Sequence, residues 1–289
     1  MNNNLSTIKK FISSNYQTKK LLLEIGIGYG EFFSWLSQNS EYICFGTDMK
    51  KNRVEKSLNK LNHSNITGEI IYSNAKNVLR DIFSYQSLDR IIINFPDPWS
   101  DKITDQRRFS DKTNIELIIS RLKVNGSILL ATDNTNYFNE FSNNIIQFNE
   151  MDTVFKQQPM KNLYRGFITR YENTWLHQGR ELLYQNFTKI KDSEKKFIWD
   201  EVNFPDITIN KPIKKTIREL NGIIIKSEPV KENKIRIIIV EKKLQISYTL
   251  LLKIEEKGKL VLLNKETFIF SSEIKKILEI FFENSGNNK

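Results

Sequence analysis

The sequence predicts an α/β protein with a doubly wound, mostly parallel β-sheet, followed by a small α+β domain. Between Leu21 and Thr132, short apolar runs alternate with helix-like segments, and this alternation is typical of the βαβ crossovers of a parallel sheet. After about residue 190, apolar runs instead follow one another across charged or glycine-containing turns. We therefore predict a first domain over residues 1–190 and a second over residues 191–289.

Five apolar runs of strand length define the first domain: Leu21–Ile25, Tyr42–Gly46, Ile70–Tyr72, Leu88–Asn94 and Ser127–Thr132. Helical patterns lie between them, at Phe32–Leu36, Asn52–Leu61, Ala75–Phe83 and within Arg107–Leu122. In the second domain, four strands and a closing helix are predicted at Leu220–Lys226, Lys234–Glu241, Ile246–Glu255, Lys259–Leu263 and Ser271–Glu283. The first domain is therefore expected to be α/β and the second α+β.

The composition narrows the chemistry. The chain has 289 residues, and its 44 lysines and arginines exceed its 34 acidic residues by 10, which favours an anionic partner, nucleic acid first. With one cysteine and two histidines, we expect no disulfide framework, no metal site and no Cys–His nucleophile. No signal peptide and no membrane-spanning run is seen. We expect a cytoplasmic monomer or homodimer that acts through carboxylates, backbone amides or a cofactor.

Polar residues end each of the five predicted strands, namely Glu24, Asp48, Asn74, Asn94 with Asp97, and Asp133. Open parallel sheets bind ligands outside the carboxyl ends of their strands, near the switch in strand order. We therefore predict that these residues surround one ligand crevice.

A glycine-rich loop, with Gly26, Gly28 and Gly30, joins the first strand to its helix. Glycine lets the backbone turn sharply and approach a ligand, but the third glycine comes one residue early for the dinucleotide pattern. Glu24 precedes the loop and can face an ammonium, while Asp48 can accept both hydroxyls of a ribose. This combination favours S-adenosylmethionine, which has an ammonium and no pyrophosphate. A dinucleotide site and a merely structural turn are the alternatives.

The third strand ends at Asn74 and Ala75, where such folds meet the adenine of the cofactor. The side-chain oxygen of Asn74 can accept from the adenine amino group, and the amide of Ala75 can donate to the ring. The alternative is that Asn74 caps the following helix.

The fourth strand leads into Asn94-Phe-Pro-Asp97-Pro-Trp99. The two prolines beside Asp97 hold the backbone extended and rigid. Such rigid placement suits a carboxylate that holds a planar base against a methyl donor. The alternative is a simple Asp-Pro turn with Trp99 packed on the core.

Four motifs occur in order: Glu24–Gly30, Asn94–Trp99, Ala131–Asp133, and Thr169–Glu172 followed by Gln178-Gly179. With these motifs the chain resembles the bacterial tRNA (guanine-N7-)-methyltransferase family over roughly residues 20–188. The resemblance implies a class I, Rossmann-like, S-adenosylmethionine-dependent enzyme that methylates N7 of a guanine in the tRNA variable loop.

The resemblance also implies roles for individual residues. Glu24, Asp48, Asn74 and Asp97 would lie in the cofactor and active site, and the substrate guanosine would be contacted by Asp133, Thr169, Arg170, Tyr171 and Glu172. Guanine N7 carries a lone pair and no proton, so the protein mainly has to align the reacting atoms. We hypothesise that Asp97 is the catalytic carboxylate, because it can accept from guanine N1–H and the exocyclic amine and offset the charge that appears on the ring.

The chain departs from the family pattern at two positions. Asn74 stands where the family usually has Asp. Asp101 stands where the family has a substrate-binding Lys, so either Lys102 serves instead or the phosphate contact lies elsewhere. A catalytically inactive RNA-binding subunit and a methyltransferase for an exocyclic base amine are the alternative functions. For the lysine-rich second domain, a tRNA-contacting surface, a solubilising surface and a protein-docking module are all open.

Overall fold

The structure is a computed structural model. It describes residues 5–61, 68–97, 108–152, 159–193, 203–209, 214–230, 233–242, 246–263 and 271–286. The chain divides into two compact units, one of residues 8–198 and one of residues 199–289 grouped with the residues up to Thr7. Each unit contains its own β-sheet.

The first unit is built on a sheet whose strands are β1 Leu21–Ile25, β2 Ile43–Asp48, β3 Gly68–Tyr72, β4 Leu88–Asn94, β5 Leu122–Thr132, β6 Met160–Lys161 and β7 Leu183–Thr188. They pair in the order β3-β2-β1-β4-β5-β7-β6. The strands β1 to β5 run parallel, whereas β7 is antiparallel to β5 and β6 to β7. The predicted doubly wound, mostly parallel sheet is confirmed. Its order reverses between β1 and β4, which marks the carboxyl ends of these strands as the expected ligand position.

Helix α1, Leu5–Asn15, precedes β1, and the helices between the strands are α2 Glu31–Asn39, α3 Lys51–Leu61, α4 Ala75–Asn77, α5 Lys112–Arg121, α6 Thr135–Ile145 and α7 Arg170–His177. Helix α4 continues as a π-helical turn over Val78–Ile82. Every residue of β1 and β2 is buried, as expected for parallel strands covered on both faces. Phe33 of α2 and Val54 of α3 pack with Leu22 of β1 in one core cluster. Because side chains alternate along a strand, Glu24 points to the same face as Leu22.

The fifth strand begins earlier than the sequence predicts. β5 starts at Leu122, but its register with β4 jumps from the pair Leu88–Leu122 to the pair Arg90–Ser127. Asn125 lies in this interruption with a φ of 67°. The segment before Ser127 is therefore an irregularity inside the strand, after which β5 pairs in parallel with β4 up to Ala131.

The second unit contains an antiparallel sheet with the strands β8 Thr216–Leu220, β9 Ile223–Val230, β10 Lys234–Glu241, β11 Ile246–Ile254 and β12 Leu260–Leu262. They pair in the order β12-β11-β10-β9-β8, so each strand pairs with the next along the chain. Helix α8, Ser272–Gly286, buries Ile274, Leu278 and Phe281. The guanidinium carbon of Arg218 on β8 lies 5.7 Å from the centre of the Phe281 ring. The α+β character predicted for this part of the chain is confirmed.

The prediction of a single strand over Leu220–Lys226 is wrong. Asn221 and Gly222 have φ values of 50° and 76°, and Leu220 of β8 pairs with Ile223 of β9 on either side of them. Two-residue hairpin turns of this mirror-image type need positive φ at both central positions, and Asn-Gly adopts them readily. The Asn-Gly pair therefore divides the run between two strands.

Two observations concern metals and membranes. Among the described residues, no group of three or more His, Cys, Asp or Glu side chains is arranged to hold a metal ion. No helix in the same part of the chain combines the length and the apolar character needed to cross a bilayer.

Candidate active site

Glu24 is a buried carboxylate at the carboxyl end of β1. Glu24 is 2% exposed, and its Oε1 accepts a hydrogen bond from Nδ2 of Asn94 at 2.9 Å. Its Oε2 is buried and has no hydrogen-bond partner among the described residues. Burial raises the pKa of Glu24 to about 7, while the Asn94 hydrogen bond and the charge of Arg165 act in the opposite direction. An unpaired buried carboxylate oxygen is costly in a folded protein, and a cationic donor from a ligand would offset this cost.

The glycine-rich loop is held by β2. The amides of Gly26 and Ile27 donate to the carbonyl of Thr47 at 2.8 and 3.2 Å, and the amide of Gly28 donates to Oδ2 of Asp48 at 3.1 Å. Gly26 and Gly28 have φ values of 75° and 57°, and within the described part of the chain a Cβ on either would meet nothing within 4 Å. The loop therefore leaves open space in front of its backbone.

Gly30 has a different role from the other two glycines. A Cβ at Gly30 would lie 2.7 Å from Oγ of Ser57 on α3. Ser57 in turn donates to the carbonyl of Gly28 at 3.3 Å. The close approach of α3, together with a φ of 70°, explains glycine at this position without a ligand.

Asp48 ends β2 and is 6% exposed. Its Oδ1 accepts from the amide of Lys50 at 2.8 Å, and Nη1 of Arg53 lies 3.7 Å from Oδ2. Next to it, Met49 is 65% exposed, and Tyr72 at the end of β3 is 48% exposed. Two large apolar side chains thus stand in solvent beside the predicted ribose carboxylate.

Asn74 caps helix α4, which is the alternative that the sequence left open. Its Oδ1 accepts from the amide of Lys76 at 2.9 Å, and Ala75 is buried as the first residue of the helix. The predicted contacts of Asn74 and Ala75 with adenine stay predictions.

The end of β4 carries Asp97 to the surface. Phe95 has a φ of 45°, and its amide donates to the carbonyl of Ala131 on β5 at 2.8 Å. This left-handed backbone is unusual for an aromatic residue, and it turns the chain at the strand end. Asp97 is exposed two residues later. The predicted contributions of Trp99, Asp101 and Lys102 fall on residues outside the described part of the chain.

Asp133 and Tyr171 face the same region. The pKa of Tyr171 is raised by burial and by the nearby charge of Asp133. Nη1 of Arg180 lies 3.2 Å from Oδ2 of Asp133, and its guanidinium carbon lies 3.4 Å from the Trp175 ring centre. The ring of Tyr171 lies 4.9 Å from that of Phe95. Asp133, Tyr171 and the turn before Asp97 therefore meet at one edge of the sheet.

The Thr169–Glu172 segment forms the N-terminus of α7. The Thr169 hydroxyl accepts from the amide of Glu172, and the Glu172 carboxylate accepts from the amide of Thr169, which is a capping box. Arg170 is exposed and pairs with Glu31 at the start of α2. Glu172 is 2% exposed, so its carboxylate faces protein groups, whereas Tyr171 is 43% exposed.

Arg165 was not identified from the sequence, although it connects the two halves of the site. Its Nη1 donates to Oδ1 of Asn94 at 2.7 Å, and its Nη2 donates to Oε1 of Glu172 at 2.6 Å. The hydroxyl of Tyr184 on β7 donates to the same Glu172 oxygen at 2.8 Å. Arg165 lies in a loop and ends no strand, so the pattern of polar strand ends could not reveal it.

The groups present fit S-adenosylmethionine. Within the described residues, Glu24 has an unpaired buried carboxylate oxygen for an ammonium, and the space at Gly26 and Gly28 admits a ligand close to the backbone. Asp48 ends the next strand. The amide of Gly28, in the loop before α2, already donates to Asp48 at 3.1 Å, so this amide is not available to a pyrophosphate.

The chain was compared with known proteins. A family model described as "Putative methyltransferase" matches residues 18–184. A bifunctional methyltransferase of Rickettsia conorii is 30% identical over 165 residues, which are 57% of this chain and 32% of the relative. The tRNA (guanine-N(7)-)-methyltransferase of Thermus thermophilus is 28% identical over 60% of this chain and 55% of its own length. That of Francisella tularensis subsp. novicida is 32% identical over 54% of this chain and 65% of its own length.

Each match covers only part of the relative's own length. The chain spans about a third of the bifunctional relatives, with 32% for that of Rickettsia conorii, and less than two thirds of the other two relatives. The family model nevertheless covers more than half of the chain, from residue 18 to residue 184. The chain therefore belongs to this methyltransferase family, and the resemblance to tRNA (guanine-N7-)-methyltransferases that its motifs predict is confirmed.

Proposed function

We propose that this chain transfers the methyl group of S-adenosylmethionine to N7 of a guanine in the variable loop of tRNA. The observation that carries the proposal is the open Oε2 of buried Glu24, at the sheet edge where the exposed Asp97 also lies. The names of the Thermus and Francisella relatives support guanine N7 of tRNA as the acceptor.

The cofactor residues act by binding and orientation. Glu24 accepts from the ammonium of the methionine part, and Asp48 uses its remaining lone pairs for the ribose hydroxyls. Asn74 and Ala75 face the adenine edge, and the loop at Gly26 and Gly28 leaves room for the ligand. When bound, the cofactor supplies an electrophilic methyl group on a sulfonium.

The substrate residues align guanine with that methyl group. Asp97 accepts from N1–H and the exocyclic amine, which selects guanine and offsets the positive charge on the methylated ring. Tyr171 offers an exposed ring for base stacking, and Asp133 orients the Tyr171 hydroxyl. Thr169 and Glu172 fix the helix from which Tyr171 and Arg170 project. Since N7 is already nucleophilic, alignment is the main contribution of the protein.

The second unit is proposed to contact tRNA through lysines on its sheet. Lys234 and Lys253 lie directly opposite each other on β10 and β11, so a phosphate bound at this face would meet two cations. Replacing both by Glu should weaken tRNA binding and flatten its dependence on salt, because fewer counterions are released. Lys161→Glu, beside Glu181, is the matched control in the first unit.

The decisive experiment combines the full chain with methyl-labelled S-adenosylmethionine and unmodified tRNA, followed by nucleoside identification. Label in 7-methylguanosine, lost when the variable-loop guanine is replaced, supports the proposal. Label on an exocyclic amine supports the alternative methyltransferase. Cofactor binding with no transfer to any tRNA supports an inactive RNA-binding subunit.

A further inference from the structure

Five polar side chains, all buried except the half-buried Asn94, form one continuous hydrogen-bonded network from the cofactor side of the site to the substrate side. In order along the network they are Glu24, Asn94, Arg165, Glu172 and Tyr184. They come from the ends of β1 and β4, a loop, α7 and β7. Arg165 therefore binds the carboxylate of Glu172 directly and is linked to the carboxylate of Glu24 through Asn94.

The loop that carries Arg165 is anchored on α2. The guanidinium carbon of Arg165 lies 4.2 Å from the centre of the Phe32 ring, and the side chain is 6% exposed. At the next residue, a Cβ on Gly166 would lie 2.7 Å from the Trp35 ring. The Phe167 ring stacks on Trp35 with centroids 6.0 Å apart. These contacts hold the guanidinium in place while its two arms point in different directions.

One arm of Arg165 determines how Asn94 is oriented. A guanidinium has only donors, so Nη1 must meet the carbonyl oxygen of the Asn94 amide, as it does at 2.7 Å. The NH₂ group of Asn94 is then turned toward Glu24 and occupies Oε1 at 2.9 Å. As a result, Oε2 of Glu24 is the oxygen that stays open for a ligand.

The other arm fixes helix α7. Nη2 of Arg165 binds Oε1 of Glu172 at 2.6 Å, while Oε2 of Glu172 accepts from the amide of Thr169 at 2.8 Å. Glu172 therefore closes the capping box only when its carboxylate is held in this orientation. The exposed ring of Tyr171 lies between the two residues of that box.

We propose that Arg165 is a positioning residue that couples ligand binding at Glu24 to the order of the α7 N-terminus. An ammonium at Oε2 holds the Glu24 carboxylate ionised and in one orientation, with Oε1 toward Asn94, and through Arg165 this favours the Glu172 arrangement that orients Tyr171. The proposal rests on the proposed function where it takes the ligand of Glu24 to be the cofactor.

The test uses S-adenosylhomocysteine, which has the same ammonium and requires no RNA. Its dissociation constant is measured by calorimetry, and amide hydrogen exchange of residues 169–177 is compared with and without it. In the wild type, binding should increase protection of these residues. Arg165→Met should weaken binding roughly tenfold or more and abolish the ligand-induced protection at saturation.

Two further variants separate coupling from simple stabilisation. Arg165→Lys keeps the buried charge but cannot reach both Asn94 and Glu172 in a fork, so it should recover thermal stability without recovering the protection. Arg121→Lys changes another buried arginine, which binds the carbonyls of Leu79 and Arg80. It should lower the melting temperature and leave both ligand readouts unchanged.

The outcomes are distinct. Wild-type protection of α7 that persists in folded Arg165→Lys, or a wild type without ligand-induced protection, overturns the coupling. Failure of the wild type to bind S-adenosylhomocysteine overturns both the coupling and the proposed function. Coupling without methyl transfer to tRNA supports the inference and removes only the proposed substrate.

Discussion

Asn94 donates its side-chain amide to Oε1 of Glu24 at 2.9 Å, which joins the carboxyl ends of two neighbouring parallel strands. These ends lie where the strand order of the sheet reverses. Parallel strands bring their ends to one edge, and the hydrogen bond then fixes which carboxylate oxygen is available. Sheet topology therefore brings the residues of the site together, and side-chain hydrogen bonds then fix their orientation.

Replacing Asn94 by Ala should weaken cofactor binding. The change leaves Oε1 of Glu24 without its donor and frees the carboxylate to rotate, at a cost of about 1–2 kcal/mol or roughly tenfold in affinity. Calorimetric titration with S-adenosylhomocysteine measures this loss. Asn144→Ala removes a comparable side-chain hydrogen bond, to the carbonyl of Ser110, and should leave the affinity unchanged. Equal affinities for both variants would contradict the role of Asn94.

Cofactor affinity should depend on pH through Glu24. Burial raises its pKa to about 7, Asn94 and Arg165 lower it, and Glu172 raises it further. The carboxylate must be ionised to pair with an ammonium, so affinity should rise as pH increases through about 7 and fall above about 8, where an α-amino group loses its proton.

Glu24→Gln provides the control for this profile. The amide cannot ionise, so the variant should bind the cofactor weakly and lose the acidic limb while it keeps the limb above about pH 8. If the affinity of Glu24→Gln still rose with pH through about 7, the ionisation responsible would belong to another group. Calorimetry across about pH 5.5 to 9 is the measurement.

Gly28→Ala should abolish cofactor binding, because its Cβ would enter the open space in front of the loop. Gly222→Ala is the matched control, since Gly222 also has positive φ, 76°, and open space around it. Both changes carry the strain of a left-handed alanine, about 1 kcal/mol, so both should lower stability similarly. Only Gly28→Ala should change the dissociation constant. Similar losses of affinity in the two variants would show that strain alone is responsible.

The part of the site that follows strand ends could be predicted from the sequence. Glu24 lies near the end of the first predicted strand and Asp48 lies two residues after the second. The shared edge of a parallel sheet follows from the alternation of strands and helices. The glycine-rich loop was assigned to a ligand as a whole, but only the structure separates Gly30, which α3 requires, from Gly26 and Gly28, which face open space.

Long-range pairing could not be predicted. Arg165 meets Asn94 across 71 residues of chain, and nothing local in a loop indicates which side chain a guanidinium will reach. Glu172 was predicted to contact substrate from its motif alone, yet its carboxylate is buried against Arg165 and Tyr184. The hairpin turn at Asn221-Gly222, by contrast, could be predicted locally, because Asn-Gly favours such turns. The apolar residues on both sides of the pair led instead to the prediction of one strand.

Glu172→Gln should destabilise the first unit by about 3 kcal/mol, because it leaves the buried Arg165 without its charged partner. Burial alone would raise the pKa of Glu172, but Arg165 and the hydrogen bonds of Thr169 outweigh it, and the pKa is lowered from its usual value of 4.5. A lowered folded-state pKa means that the stabilisation is present above 4.5 and is lost as pH falls below it.

Urea unfolding at several pH values checks both parts of this prediction. The difference in free energy of unfolding between wild type and Glu172→Gln should be large at pH 7 and shrink in acid. A difference that does not change between about pH 7 and pH 3 would mean that the carboxylate is not ionised in the folded protein.

Asp97→Asn should reduce turnover on tRNA while the cofactor dissociation constant stays close to that of the wild type. Asp97 is exposed at the end of β4, so the change should cost little stability. An amide cannot accept both guanine protons as a carboxylate does, and it carries no charge to offset the methylated ring. The loss should be about 100-fold in kcat, the size typical of a removed electrostatic contact. Single-turnover methyl transfer, with cofactor saturating, measures it. Near wild-type turnover in Asp97→Asn would remove Asp97 from the reaction and leave alignment by Tyr171 and Asp133 as the basis of catalysis.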